Sequence, residues 1–144
     1  FPQASFGVVE GLSDHLMEWL AVGRVDFCLV YSGVAPTAIT LAPLRVEPMY
    51  LVGARPRKAG AKLIGAPVTL AQVAATALVI PPRPHSIRLL VDSALADAGL
   101  QARVALEIES VPTILDLVQD DGFHAVLTLN AIPAALTSRD RLVA

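Results

Sequence analysis

The sequence predicts an α/β fold whose buried strands run parallel. Apolar runs of strand length alternate with segments in which apolar residues recur at three- and four-residue spacing, the period of an amphipathic helix. The runs at residues 25–31, 78–80 and 125–129 are almost wholly apolar, as expected of strands covered on both faces. Strands and helices that alternate in this way indicate β-α-β units with right-handed crossovers.

Composition narrows the class of protein. The chain has 144 residues, 54% of them hydrophobic and 17% charged, which suffices for one domain or two small lobes with a core. A formal net charge of −2 argues against a domain that binds nucleic acid by itself, because nucleic-acid-binding domains usually carry a basic face. The one cysteine, Cys28, has no partner for an internal disulfide, which fits a reducing compartment.

Neither a leader nor a membrane span is expected. No basic segment leads into an apolar stretch at the start, and the opening Phe1-Pro2 indicates a fragment. Residues 63–82 carry no charge, and a spanning helix needs about 20 apolar residues. However, this segment contains Pro67 and Gln72 and ends in prolines, which favours a turn, a helix and a strand.

The first part of the chain is expected to form a β-α-β unit. Residues 6–9 are predicted to be a strand, Ser13 to cap a helix that ends at Gly23, and residues 25–31 to be the parallel partner strand. Ser32 and Gly33 then follow the carboxyl end of that strand, the end at which open α/β sheets bind ligands.

Residues 49–53 are predicted to form a further strand, followed by a basic loop at 55–58. A change of composition at residues 62–67 indicates a boundary between two lobes.

The second part is predicted to be β-α-β-α-β. Thr69 and Gln72 fit a capping box at the start of a short helix. The main elements are a strand at 78–80, a helix at 86–98 that ends at Gly99, a strand at 104–108, a helix from Ser110 to Gly122, a strand at 125–129, and a short helix or turn at 131–136.

The loop between strand 78–80 and helix 86–98 is the first candidate site. Prolines at 81, 82 and 84 prevent regular structure, and His85 or Ser86 is placed to cap the helix. A helix N-terminus beside Arg83 offers free N–H groups and positive charge to an anion. Most loops of this composition bind no ligand, so the spacing alone leaves both interpretations open.

The sequence contains no recognisable catalytic or metal motif. Neither a nucleophile elbow, a phosphate-binding loop nor a dinucleotide fingerprint is present. None of the three histidines has a second ligand at metal spacing, and nothing brings Cys28 and His85 together as nucleophile and base. We therefore predict a binding protein without cofactor or metal rather than an enzyme, although a catalytic site scattered over loops stays open.

Several phrases resemble the effector-binding (regulatory) domain of LysR-type transcriptional regulators. They are VEGLS at 9–13, EWLAVGRVD at 18–26 and PLRVEPMYLVG at 43–53. The phrases PRPHSIR at 82–88 and SVPTIL at 110–115 further resemble the branch around nitrogen-assimilation control regulators.

The resemblance implies two Rossmann-like lobes, similar to those of periplasmic binding proteins, with a small effector between them. By position, lobe I spans residues 1–60 with the first crossing segment and lobe II spans residues 61–144. The domain is then incomplete at both ends. The winged helix-turn-helix that binds DNA in this family is absent from the sequence.

Site residues follow from the same resemblance. Arg83 is expected to pair with a small anionic effector, Ser86 to add its hydroxyl and N–H, and His85 to donate a hydrogen bond or report pH. An effector that prefers closed lobes shifts their equilibrium. The expected effector-binding residues are Ser32, Gly33, Arg83, Pro84, His85, Ser86 and Thr128.

The resemblance also implies partners. A homodimer or tetramer is expected, with residues 6–20 of one copy against residues 87–108 of the other, and DNA is bound only through the absent domain. The apolar residues of helix 86–98 cover more than one narrow stripe, which fits either this interface or simple burial. The expected location is the cytoplasm.

Two alternatives remain at this level: a solute-binding protein of a transporter, which has the same lobes but is exported, and an enzyme on a related two-lobed fold.

Overall fold

The computed structural model describes residues 3–31, 37–54, 64–133 and 142–143. The chain divides into two compact units, residues 1–42 and residues 43–144.

The first unit is built around one helix, α1 (Ser13–Ala21). The predicted cap is wrong, because the helix begins at Ser13 itself and the N-cap Leu12 makes no side-chain hydrogen bond. The Ser13 hydroxyl oxygen instead accepts from the Tyr31 backbone N–H at 3.2 Å. Gly23 ends the helix with a φ of 72°, as predicted, because glycine adopts the left-handed conformation without strain.

The two strands predicted in this unit do not form. Residues 6–9 and 25–31 contain no strand, and Val8 and Phe27 are 86% and 73% exposed. A strand exists only where a neighbour completes its hydrogen bonds, and no such neighbour occurs among residues 3–31. The predictions were wrong because an apolar run of strand length does not by itself supply a pairing partner, and these runs are largely exposed in the structure.

The second unit contains a three-stranded sheet and a two-stranded sheet, joined by a parallel bridge. Its strands are β1 (Met49–Ala54), β2 (Leu78–Ile80), β3 (Val104–Glu107), β4 (Ala125–Thr128) and β5 (Leu142–Val143). β2 pairs in parallel with β3, and a parallel bridge from Leu78 to His124 joins β2 to the start of β4. β1 runs antiparallel to both β4 and β5. The predicted parallel arrangement of the second part is therefore confirmed for β2, β3 and β4.

β1 is a strand, as predicted, and pairs with β4 inside the second unit. The lobe limits 1–60 and 61–144 stay a prediction, since residues 55–63 lie outside the described residues.

Three helices connect the strands: α2 (Leu70–Ala75), α3 (Ser86–Asp97) and α4 (Val111–Asp120). The first two begin at predicted caps, and α4 begins where a helix was predicted, with a serine as its cap. Thr69 and Gln72 form a capping box, His85 caps α3, and Ser110 caps α4. A single 3-10 turn follows β4 at Leu129–Ala131, and residues 134–136 of the predicted last helix or turn lie outside the described residues.

The core of the second unit lies on the sheet. Every residue of β2 and β4 is buried, as in strands with both faces covered. The helices contribute the fully buried side chains of Leu95 and Ile114. No helix in the described ranges is long and apolar enough to cross a membrane; the uncharged segment before Pro82 contains α2 and β2.

Candidate functional site

One edge of the sheet gathers the candidate residues. β2, β3 and β4 are parallel, so their carboxyl ends reach the same edge, and antiparallel β1 begins there, with Met49 opposite Thr128. We call this the carboxyl edge. It carries the β2–α3 loop, the N-termini of α3 and α4, and the turn after β4. The positive ends of two helix dipoles therefore meet polar loops at this edge.

The β2–α3 loop turns tightly into its helix. The Arg83–Pro84 peptide is cis, and the His85 N–H donates to the Pro82 carbonyl at 3.1 Å. His85 Nδ1 accepts from the backbone N–H of Ile87 at 3.1 Å, so this ring is the N-cap of α3 and Ser86 is the first helical residue. Of the two predicted caps, the histidine fills the position.

Arg83 is turned toward α3. Its Nε and Nη2 donate to Asp92 Oδ2 at 2.9 Å and 2.6 Å, while 64% of the side chain stays exposed. The predicted anion ligand thus already has a carboxylate partner on the next helix. A ligand anion at Arg83 has to displace Asp92 or use the remaining guanidinium donors.

Asp92 also binds a second arginine, which the sequence interpretation missed. Arg88 is only 9% exposed, and its Nε donates to the same Asp92 Oδ2 at 2.8 Å while Nη1 donates to Glu107 Oε1 at 2.5 Å. The hydrogen bond with Glu107 raises the pKa of Arg88 above its ordinary value, against the effect of burial, with Asp92 adding to the rise. We call Arg83, Asp92, Arg88 and Glu107 the arginine–carboxylate network.

The network ties three elements together: the β2–α3 loop, helix α3 and strand β3. The four-residue spacing of Arg88 and Asp92 is the signal that was available in the sequence. The partner Glu107 lies on another strand and had no such signal.

A second polar group lies where β1 begins. Glu47 Oε1 accepts from Asn130 Nδ2 at 2.6 Å and pairs with Arg45 Nη2 at 3.1 Å. Glu47 Oε2 is buried without a hydrogen-bond partner. Asn130 belongs to the 3-10 turn after β4, so this bond joins the two chain segments that flank the β1–β4 pair.

The predicted residues divide into three sets. Arg83, Pro84, His85 and Ser86 lie together in the loop and the first turn of α3. Thr128 ends β4 at the same edge but is only 3% exposed. The predicted contribution of Ser32 and Gly33 lies outside the described residues. Across the described ranges, no three His, Cys, Asp or Glu side chains are grouped so as to hold a metal ion.

An open α/β sheet with polar loops and helix N-termini at its carboxyl edge belongs to a class of folds that bind small molecules at that edge. A family model, the LysR substrate binding domain, matches residues 1–144. The chain belongs to this family, in agreement with the resemblance in the sequence phrases.

Known relatives agree with this assignment. The chain is 29% identical over 113 residues to the nitrogen assimilation regulatory protein Nac of Klebsiella aerogenes, which covers 78% of this chain and 35% of that protein. The chain therefore spans about a third of the length of this curated relative.

Solved structures show the same fold. The effector binding domain of QuiR in complex with shikimate matches with a TM-score of 0.70 at 17% identity, over 92% of this chain and 60% of that one. Full-length CbnR in complex with its target DNA matches with a TM-score of 0.70 at 21% identity, over 99% of this chain and 49% of that one.

Proposed function

We propose that this domain senses a small anionic effector for a LysR-type transcriptional regulator. The observation that carries the proposal is the match of the whole chain to the LysR substrate binding domain, joined to a carboxyl edge that gathers Arg83, Ser86 and two helix N-termini. Contact with operator DNA is assigned, as the family resemblance implies, to other parts of the parent protein.

The effector site proposed here uses the β2–α3 loop. Arg83 supplies charge and Ser86 a hydroxyl and an N–H at the start of α3, while His85 is occupied at Nδ1 by its capping bond. Pro84 shapes the loop and Thr128 contributes from the end of β4. Ser32 and Gly33 are the proposed contribution of the first unit. An effector carboxylate exchanges with Asp92 at Arg83, so the observed affinity is the difference between two ion pairs.

Sensing then works by differential binding. An effector that prefers one arrangement of the lobes over another shifts their equilibrium, and it shifts that equilibrium only by the difference in its affinities. The parent protein acts in the cytoplasm as a homodimer or tetramer, through which the shift reaches the DNA-binding parts. The alternative of a transporter's solute-binding protein has no support in the relatives, which are regulators.

A thermal-shift screen tests the proposal. The domain is heated with small carboxylates, amino acids and inorganic anions, beside the variant Arg83→Ala. A ligand at about 100 times its dissociation constant adds about 2.7 kcal/mol to the free energy of unfolding. We expect a stabilising anion whose effect is lost in Arg83→Ala.

The matched control is Arg103→Ala, which removes an exposed arginine just before β3, at the opposite end of that strand from the site. Equal stabilisation of all three proteins by the same anion contradicts the role of Arg83, and absence of any stabilising ligand contradicts the sensing function.

A further inference from the structure

Glu47 has a hydrogen-bonding capacity that the fold does not use. Its side chain is 17% exposed, and Oε1 accepts a hydrogen bond from Asn130 and pairs with Arg45. Oε2 is buried and has none. Buried carboxylate oxygens are almost always satisfied in proteins, because an unmet acceptor loses its bonds to water without replacement.

Glu47 lies at the carboxyl edge. Glu47 lies two residues before Met49, which pairs with Thr128, and its partner Asn130 lies two residues after Thr128. Glu47 is therefore placed at the edge that also carries the β2–α3 loop. A donor that completes it must come from outside the set of bonds described above.

We propose, building on the function proposed above, that Glu47 is a ligand-binding residue whose Oε2 accepts a hydrogen bond from an ammonium or hydroxyl group of the effector. The effector class is then a small acid that also carries an O–H or N–H donor, such as a hydroxy acid or an amino acid.

With this role, Glu47 both binds the effector and discriminates against acids that lack a hydrogen-bond donor. An acid without the donor leaves the buried oxygen without a partner, whereas a donor-bearing acid supplies the hydrogen bond that this oxygen lacks in the free domain. Because Glu47 also holds Asn130, ligand binding at Oε2 acts on the bond that joins the segment before β1 to the turn after β4.

Matched acids test the proposal. Each set has one skeleton with hydrogen, hydroxyl or ammonium at the second carbon: propionate, L-lactate and L-alanine; succinate, L-malate and L-aspartate; 3-phenylpropionate, phenyllactate and L-phenylalanine. Thermal shift and calorimetric titration are run on the wild-type domain, on Glu47→Gln, on Glu47→Asp and on the control Glu18→Gln. Glu18 is an exposed residue of α1.

We expect a donor-bearing acid to bind the wild type and Glu18→Gln more tightly than its parent acid. In Glu47→Gln this acid should bind about 10-fold to 100-fold more weakly, the value of a hydrogen bond to a charged group. Without ligand, Glu47→Gln should unfold within about 2 °C of the wild type, since the amide oxygen still accepts from Asn130 and no bond at the Oε2 position is lost.

Failure of the Glu47 assignment and failure of the proposed sensing function give different results. Wild-type binding of an acid with no advantage from its hydroxyl or ammonium group overturns the assignment of Glu47 and leaves the sensing function standing. Absence of binding by every acid in the wild type overturns the proposed function and the assignment with it. If both Glu47→Gln and Glu47→Asp fail to fold, Glu47 is structural and the assignment is overturned.

Discussion

At the scale of single residues, Asp92 joins the exposed Arg83 to the buried Arg88. One carboxylate oxygen accepts from Arg83 and from Arg88, so the orientation of the exposed arginine depends on a residue two turns into α3. The buried Arg88 needs this oxygen and Glu107, because an arginine side chain out of water requires compensating carboxylates.

The raised pKa of Arg88 determines the direction in which its contribution to stability changes with pH. A cation whose pKa is higher in the folded state stabilises the fold fully below the unfolded-state pKa, and the stabilisation is lost only as the pH rises through the folded-state value. Because the ordinary pKa of arginine already lies far above neutrality, the contribution of Arg88 is constant through neutral and moderately alkaline pH.

Replacement of Asp92 by asparagine should destabilise the domain. Asp92→Asn keeps the shape but weakens three charge-assisted hydrogen bonds, including one to a buried guanidinium. We expect a loss of about 1–3 kcal/mol in the free energy of unfolding, measured by urea denaturation. Asp97→Asn, on the exposed end of the same helix, should stay within about 0.5 kcal/mol of the wild type. Equal effects of the two substitutions contradict the importance of the network.

At the scale of elements, local signals predicted the second unit well. The capping box at Thr69, the cap at Ser110 and the apolar period of the helices are properties of neighbouring residues, and the structure confirms α2, α3 and α4. The strands predicted at 6–9 and 25–31 failed because pairing depends on chain that is distant in sequence.

The polar contacts of the candidate site also join residues that are distant in sequence, so the sequence carries no local signal for them. Arg88 and Glu107 are 19 residues apart and Asn130 and Glu47 are 83 apart, so no periodicity connects them. The sequence predicted the position of the β2–α3 loop at the carboxyl edge. It did not predict that Asp92 already binds Arg83 there.

The cap of α3 is testable by substitution. His85→Ala removes the acceptor for the Ile87 N–H and should lower the free energy of unfolding by about 1 kcal/mol. His85→Asn supplies a better capping oxygen and should recover most of that loss. His15→Ala, at an exposed position of α1, is the control. If His85→Asn is as destabilised as His85→Ala, the ring stabilises the loop by contacts other than the cap.

At the scale of the whole molecule, a buried sheet fixes the loops that carry the site. Every residue of β2 and β4 is buried, which makes their carboxyl ends a firm base for Arg83, Ser86 and the turn containing Asn130. The chain belongs to the LysR substrate binding domain family and spans about a third of its curated relative. The proposed effect of the effector on DNA binding is therefore measured in the full-length parent protein.

The claim that this domain senses an acid for a transcriptional regulator is tested most directly by one affinity. It is the affinity of the full-length parent protein for its operator DNA, with and without a stabilising acid found in the screen. Wild-type protein and Arg83→Ala are titrated onto the DNA at fixed salt, because phosphate contacts make such affinities depend on salt. We expect the acid to change the operator affinity or the footprint of the wild type and to leave those of Arg83→Ala unchanged. An acid that binds the domain and leaves the wild-type complex with DNA unaltered contradicts it.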